Sequence, residues 1–219
     1  MRRVISVDGP AGVGKGTLCQ RLARELGWAY LDSGVFYRLL GREALRLGAG
    51  DGDLPLPALL DFLATAAIEF RLREQGYELR VNGAAVGAEI RTETVAALSS
   101  QLAAREEIRT ALLHKFRAFA PGQNLVADGR DMGTVVFPEA RPKIFLTATA
   151  EIRAQRRWQQ LKAQGENANI NRLVDEIRQR DERDQNRTVA PLKPASDAVL
   201  IDTSALSIDA VFQQVLGLI

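Results

Sequence analysis

The stretch Gly9-Pro10-Ala11-Gly12-Val13-Gly14-Lys15-Gly16-Thr17 decides the fold. It follows the apolar run Val4-Ile5-Ser6-Val7 and opens a helical pattern over residues 14–25 in which leucines recur every four positions. Glycines let the backbone wrap around an anion without a Cβ in the way, and the N–H groups of the loop and of the helix start direct positive charge at it. Strand, glycine loop, Lys15 and helix in this order predict a phosphate-binding loop for a nucleoside triphosphate.

The composition is that of an ordinary globular protein. Of 219 residues, 46% are apolar and 26% charged, which excludes wholesale disorder. The formal net charge of +2 is too small for a nucleic-acid or membrane-surface coat, so we expect neither partner. One cysteine, Cys19, and one histidine, His114, exclude a disulfide and argue against a metal centre built from these side chains. Without an apolar run of ~18 residues, the chain is expected to be cytoplasmic. We also expect a monomer.

Short β-like runs alternate with helical stretches, as in a parallel sheet covered on both faces. The five runs that predict core strands are 4–7, 29–31, 125–127, 143–146 and 198–201. Two regions interrupt this alternation. Residues of about 66–90 read as an antiparallel insert with a turn at Gln75-Gly76, and about 150–188 are highly charged, with two helical stretches around Gln164-Gly165.

We therefore expect an α/β fold with three layers, in which a five-stranded parallel sheet belongs to a single domain over residues 1–219. An acceptor-binding insert is expected over about 33–110 and a helical lid over about 150–188.

The residue after Lys15 narrows the class of enzyme. A Ser or Thr directly after the lysine is the usual magnesium ligand, but here Gly16 intervenes and the hydroxyl comes at Thr17. This Gly-Lys-Gly-Thr form resembles nucleoside monophosphate kinases, in which the hydroxyl acts through water. It favours a small-molecule kinase over a GTPase switch.

Beyond the loop, most of the chain resembles one family, the bacterial cytidylate kinases. The segments that carry the resemblance are 8–18 (DGPAGVGKGTL), 31–34 (LDSG), 37–38 (YR), 87–92 (GAEIRT), 127–138 (ADGRDMGTVVFP), 180–187 (RDERDQNR) and 189–192 (VAPL). The resemblance implies a P-loop kinase that transfers a phosphoryl group from ATP to CMP or dCMP with Mg²⁺. Ala11 departs from members that carry a serine there, so one hydroxyl near the phosphates is lost.

The distribution of charged residues agrees with this chemistry. Phosphoryl transfer between two nucleotides gathers negative charge in one cleft and needs cations from several elements. Arg38 lies on the predicted second helix, and Arg130 follows a buried strand at the end where open parallel sheets bind ligands. Arg180, Asp184 and Arg187, spaced i, i+4 and i+7, predict one helix face with a carboxylate between two cations.

The resemblance assigns roles to these residues. It implies that Arg38, Arg130 and Arg187 hold the CMP phosphate, while Arg180 and Asp184 contact the ribose side. Lys15, Arg130 and Arg187 are the expected catalytic residues. The arginines of the lid, Arg153, Arg156 and Arg157, are expected to add to their charge on closure. The remaining residues implied to line the acceptor site are Ser33, Tyr37 and Asp128.

Base selection needs groups that match the edge of cytosine, whose N4 donates and whose N3 and O2 accept. The resemblance gives these tasks to Asp131, Arg109 and Ser100. From the residue pattern alone, Ser100 and Arg109 would be surface residues of helices.

The metal is expected near the phosphates. Asp128 ends an apolar strand, where phosphate-loop proteins commonly place a carboxylate that binds magnesium, often through water. We expect Asp128 and Thr17 to hold Mg²⁺ in this way.

Two other interpretations stay open at this point. One is a kinase for another small acceptor, such as AMP, UMP or shikimate. The other is a non-enzymatic nucleotide switch or nucleic-acid-binding module, against which the near-neutral charge and Gly16 both speak.

Overall fold

The computed structural model describes residues 3–49, 54–74, 76–163 and 165–219. Its strands are β1 (Val4–Asp8), β2 (Ala29–Asp32), β3 (Ile68–Leu72), β4 (Tyr77–Val81), β5 (Ala84–Val86), β6 (Leu125–Gly129), β7 (Lys143–Thr147) and β8 (Val199–Asp202). Five of them form a parallel sheet in the order β2-β6-β1-β7-β8. The predicted five-stranded parallel sheet is confirmed.

Helices cover both faces of this sheet. They are α1 (Lys15–Leu26), α2 (Ser33–Arg46), α3 (Leu56–Thr65), α4 (Glu93–Leu102), α5 (Glu106–Arg117), α6 (Ala150–Ala163), α7 (Ile170–Gln185) and α8 (Ile208–Leu216). A 3-10 turn at Ala88–Arg91 and a π-helical turn at Met132–Val136 complete the regular structure of the described residues. None of the helices described is long and apolar enough to cross a membrane.

The register of the sheet brings the aspartates at the ends of its strands to one edge. Asp8 at the end of β1 lies opposite Gly129 of β6, and Asp32 at the end of β2 lies opposite Asp128. Because parallel strands all end at the same edge, the phosphate loop and the segments after β2 and β6 meet there.

Alternating strand residues feed a separate apolar core on each face. On one face, Ile5 and Val7 pack with Leu22 of α1 and Phe212 of α8. On the other face, strand residues pack against α2, α4 and α5, and Phe36 is fully buried at the centre. Both layers predicted for a parallel sheet are therefore present.

The insert is a three-stranded antiparallel sheet in the order β3-β4-β5. The short strand β5 was not predicted, and Gln75 of the predicted turn lies outside the described residues. Phe70 of β3 and Tyr77 of β4 pack against Tyr30 of β2, with ring centroids 5.8 and 5.4 Å from it. Aromatic packing thus fixes the insert to the core beside the ends of its strands.

The charged region near the C-terminus forms the helix pair α6 and α7, as predicted, although Gln164 between them lies outside the described residues. A small apolar cluster holds the pair together, with Leu161 and Leu173 at its centre and Trp158 against them. This cluster is far smaller than the two main cores, so the pair has little apolar packing of its own.

Phe36→Ala tests the apolar core beneath α2. Phe36 is 0% exposed and contacts the rings of Phe70, Phe116 and Phe119. Its truncation should lower the free energy of unfolding by about 3–5 kcal/mol in urea denaturation, because a buried aromatic ring is replaced by a cavity. Leu200→Ala, at a side chain 60% exposed, is the control and should change it little. A loss below about 1 kcal/mol at Phe36 would contradict this packing.

Candidate active site

The phosphate loop is shaped by close backbone packing. Gly9 has φ +145, and a Cβ there would lie 2.3 Å from the carbonyl oxygen of Leu146, so no other residue fits. Lys15 is buried at the start of α1, and its Nζ donates to the carbonyl of Pro10 at 2.8 Å. The lysine therefore lies across the loop, with its charge at the point where phosphates would bind.

Lys15 and Asp128 face each other at the end of the sheet. Burial, with the charge of Arg130 acting in the same direction, lowers the pKa of Lys15 to about 8. Burial also raises the pKa of Asp128 to about 7, with the neighbouring Asp32 acting in the same direction. Charges held against their own desolvation in one place are typical of a functional site.

Asp32 links the end of β2 to the start of α2. Its Oδ1 accepts from the N–H of Val35 at 3.2 Å and so caps the N-terminus of α2. Its Oδ2 accepts from the hydroxyls of Tyr30 and Tyr77 at 3.4 and 3.3 Å. The cap orients the first turns of α2, which carry Ser33, Tyr37 and Arg38.

Two of the predicted acceptor arginines share one carboxylate. Asp184 is 1% exposed, and its oxygens accept from Arg130 Nε at 3.1 Å and from Arg187. Burial pushes the pKa of Asp184 upward, but the charges of Arg130 and Arg187 outweigh it, so the pKa lies below its ordinary value. One prediction was wrong in detail: α7 ends at Gln185, so Arg187 lies beyond the helix and reaches Asp184 from the following segment.

Arg180 and Arg38 complete the cationic side of the site. Burial lowers the pKa of Arg180 to about 10, with Arg130 adding repulsion, and its buried Nε finds no hydrogen-bond partner among the described residues. Arg38 donates to the carbonyl of Ile90 at 2.9 Å, which ties α2 to the 3-10 turn. Burial lowers the pKa of Arg38 as well. Arg38 and Arg180 form no ion pair with a carboxylate of the described residues, so their charges are available to an anion.

Arg109 of α5 and Asp131 form a buried ion pair, 8% and 7% exposed. Arg109 also donates to the hydroxyl of Tyr37 at 3.4 Å and to the carbonyl of Ala103 at 3.2 Å. The buried atoms Arg109 Nε and Ser100 Oγ have no partner within the described residues. The surface positions that the residue pattern alone gave Ser100 and Arg109 are wrong, because α4 and α5 turn these side chains inward.

Arg153 of α6 forms contacts that join parts of the fold. It is 3% exposed, pairs with Asp181 of α7, and donates to the carbonyl of Ala11 at 3.1 Å. Through these contacts it joins the phosphate loop to the helix that carries Arg180 and Asp184.

Arg156 and Arg157, the other two arginines predicted to act from the lid, line the cleft. Arg156 donates to the carbonyl of Thr203 at 2.6 Å, and Arg157 pairs with Glu93 of α4 at 2.9 Å. Both line the cleft described next, whereas Arg153 does not. Arg157 joins the lid to α4 on the acceptor side.

A cleft of about 940 Å³ collects these groups, and both the phosphate loop and the Arg109–Asp131 pair line it. The predicted residues that line it are Ala11, Gly12, Val13, Gly14, Lys15, Gly16, Thr17, Ser33, Tyr37, Arg38, Ser100, Arg109, Asp128, Arg130, Asp131, Arg180, Asp184 and Arg187. Gly9 and Pro10 shape the loop without lining the cleft. This arrangement can hold two phosphorylated ligands facing each other across one cationic centre.

A sequence profile described as cytidylate kinase matches residues 5–219. The chain belongs to the cytidylate kinase family. The resemblance read from the motifs is thereby confirmed.

Individual proteins agree with this assignment. The cytidylate kinase of Dichelobacter nodosus is 52% identical over 98% of this chain and 95% of its own length. That of Aeromonas hydrophila subsp. hydrophila is 50% identical over 99% and 94%. A solved structure of an uncharacterized protein from Eubacterium ventriosum superimposes with a TM-score of 0.53 at 11% identity, covering 99% of this chain and 97% of that one; this likeness shows the fold alone.

The sequence analysis missed two carboxylates at the strand ends. Asp32 caps α2, as described above, and Asp8 accepts from the N–H groups of Met132 and Gly133 at 2.8 Å each. Both residues end an apolar strand, the same signal that singled out Asp128. Applied to every strand, that signal would have found all three.

Lys15→Met tests whether the buried charge of Lys15 in the phosphate loop lowers the free energy of unfolding. The folded pKa of about 8 lies below the ordinary 10.5, so the charged lysine destabilises the fold at neutral pH, and this penalty decreases as the pH rises from about 8 towards 10.5. The free energy of unfolding of the variant should exceed that of the wild type by about 1–3 kcal/mol at about pH 6.5, and by less at about pH 9.5.

Turnover of the same variant should fall by ~10²-fold or more, because a preorganised charge at the transferring group is lost. Lys193→Met, at an exposed lysine, is the control and should change neither quantity. Near-normal turnover, or a stability gain independent of pH, would contradict the role of Lys15.

Proposed function

We propose that this cytidylate kinase family member transfers the γ-phosphoryl group of ATP to the phosphate of CMP or dCMP, giving ADP and CDP or dCDP. The observation that carries the proposal is the cleft itself, which both the phosphate loop and the buried Arg109–Asp131 pair line. The loop suits a triphosphate, and the buried pair suits a polar base edge away from water.

Unpartnered atoms in the cleft match cytosine. The Asp131 carboxylate only accepts, so it suits the N4 amino group, while Arg109 and Ser100 can donate to N3 and O2. The buried Ser100 Oγ and Arg109 Nε have no protein partner in the described chain, and a bound base would supply one. Uracil presents O4 and N3–H at these positions, so its edge would face the wrong partners.

The arginines lie where the acceptor phosphate would have to be. We assign Arg38, Arg130 and Arg187 to the CMP phosphate, with Arg180 and Asp184 on the ribose side. Both oxygens of Asp184 already accept from Arg130 and Arg187, so this carboxylate also orients the cations that meet the phosphate. Ser33 and Tyr37 of α2 border the same space.

Transfer needs no covalent enzyme intermediate, because an oxygen of the acceptor phosphate is itself the nucleophile. Residues 9–17 wrap the donor phosphates, and Lys15, Arg130 and Arg187 stabilise the charge that develops on the transferring group. Closure of the lid over the cleft aligns the two nucleotides and excludes water.

Mg²⁺ is proposed as the cofactor, and the residues at the loop fit it. Asp128 offers a buried carboxylate beside the loop, and Thr17 offers a hydroxyl on α1. No cluster of three metal-ligating side chains occurs in the described parts of the chain, so phosphate oxygens and water would complete the coordination, as Mg²⁺ commonly requires. When bound, the ion supplies positive charge that neutralises the donor phosphates.

Residues 1–219 are proposed to act as one kinase unit, monomeric and cytoplasmic, with the acceptor insert over about 33–110 and the lid over about 150–188. The insert rests on the aromatic cluster around Phe70, whereas the α6–α7 pair has only a small apolar cluster. This difference in packing supports a lid that moves against a fixed insert.

The direct test is to incubate the protein with ATP and Mg²⁺ and, separately, CMP, dCMP, UMP, AMP and GMP, and to quantify the diphosphates formed. CDP and dCDP should dominate. Preferential turnover of another monophosphate would overturn the choice of substrate. If none of the monophosphates is phosphorylated, the nucleotide-switch interpretation gains.

Asp131→Asn tests base recognition. The amide can donate as well as accept, so CMP should lose a charge-assisted bond of about 1.5–3 kcal/mol, while UMP should lose less or gain. The measurement is the ratio of kcat/KM for CMP over UMP, which should fall.

Asp184→Asn is the matched control. It removes a buried carboxylate that lies in the same cleft but pairs with Arg130 and Arg187. It should therefore lower the activities with CMP and UMP together and leave their ratio unchanged. An unchanged ratio in Asp131→Asn would mean that Asp131 serves phosphate geometry instead of the base.

A further inference from the structure

Asp8 is a buried carboxylate at the end of β1, immediately before the phosphate loop, and the mechanism above does not use it. It is 5% exposed. Its Oδ1 accepts from the N–H of Met132 and its Oδ2 from the N–H of Gly133, both at 2.8 Å. Each oxygen thus holds a different main-chain group of the segment after β6.

That segment begins at the residue that reads the base. Asp131 directly precedes Met132, and its own carbonyl accepts from the N–H groups of Val135 and Val136 at 2.9 and 3.1 Å, where the π-helical turn starts. The main chain after Asp131 is therefore fixed by Asp8 on one side and by the turn on the other. The position of the Asp131 side chain follows from both.

The segment also packs without free space. A Cβ at Gly133 would lie 2.6 Å from Ser6 Oγ, and one at Gly129 would lie 2.6 Å from Met132 Cγ and 2.7 Å from Ser33 Oγ. Such close approach means that a shift at residues 132–133 cannot be absorbed locally and would be passed to Asp131.

We propose that Asp8 is a positioning residue for base recognition: it holds the main chain of Met132 and Gly133 so that Asp131 meets the cytosine amino group at a fixed distance from the phosphate loop. This inference rests on the proposed function, because it concerns how Asp131 reads the base. It also gives a physical link between Asp131 and the phosphate loop, since Asp8 directly precedes Gly9.

The electrostatics agree with the geometry. Burial raises the pKa of Asp8 to about 6, while its two main-chain hydrogen bonds and Lys15 act against the rise and Asp131 adds to it. At neutral pH the carboxylate is therefore largely ionised and can accept both N–H groups. A carboxamide in the same place would present its own N–H₂ to one of them.

The test is Asp8→Asn, assayed with CMP, UMP and ATP as varied substrates. The KM for CMP should rise about tenfold and the kcat/KM ratio of CMP over UMP should fall by a similar factor, because one buried hydrogen bond is replaced by a repulsive contact. The KM for ATP should stay within about twofold, since the phosphate loop keeps its own contacts.

Ser6→Ala is the matched control. Ser6 lies on the same strand beside Gly133, and its buried hydroxyl has no partner within the described residues. This variant should leave the KM values for CMP, UMP and ATP unchanged.

Several results would overturn the inference. One is an Asp8→Asn variant that loses CMP and UMP activity in equal proportion, and another is a variant that changes only the KM for ATP. If Asp8→Asn does not fold, Asp8→Ala, which removes both acceptors without adding a donor, is assayed in the same way; failure of both to fold would make Asp8 a residue of folding only. A wild-type protein that does not phosphorylate CMP would remove the proposed function as well, whereas an active wild type with an unchanged ratio in the variant would overturn this inference alone.

Discussion

The proposed acceptor site depends on one interaction, in which the carboxylate of Asp184 accepts from both Arg130 and Arg187. The site must hold several guanidinium groups close together before any phosphate arrives, and like charges at such distances repel. One buried carboxylate between two of them offsets part of that repulsion and fixes both side chains. Arg180, whose pKa burial and Arg130 lower to about 10, receives less compensation. The unbalanced charge is what a phosphate would neutralise, so binding affinity and preorganisation have the same origin.

This arrangement places the site in conflict with the fold. Burial lowers the pKa of Lys15 to about 8 and raises that of Asp128 to about 7, so each charge is held at a cost in stability. The compensating stability comes from the two apolar cores on either face of the sheet, where Phe36 and Leu22 are fully buried. The sheet edge can carry unfavourable charges because packing a few residues away holds the strand ends in place.

The sequence could predict whatever depends on neighbours in the chain. The phosphate loop, the five strands and the ends of α1 follow from local patterns, and Asp128 follows from its place at a strand end. Ser100 and Arg109 could not be placed from their own helices, because their burial depends on how α4 and α5 pack against the core. The position of Arg187 depends on where α7 ends, and a spacing of i, i+7 does not fix that end. The hydrogen bonds of Asp8 join residues 124 and 125 positions apart, which no local pattern reveals.

The central claim is that the buried Arg109–Asp131 pair reads cytosine while the loop binds phosphates in the same cleft. A crystal structure of the protein with CMP bound is the most direct measurement of this claim. We expect the Asp131 carboxylate within hydrogen-bond distance of N4, Arg109 and Ser100 on N3 and O2, and the phosphate among Arg38, Arg130 and Arg187. A CMP molecule whose phosphate lies on Arg109, or whose base lies away from Asp131, would contradict the claim.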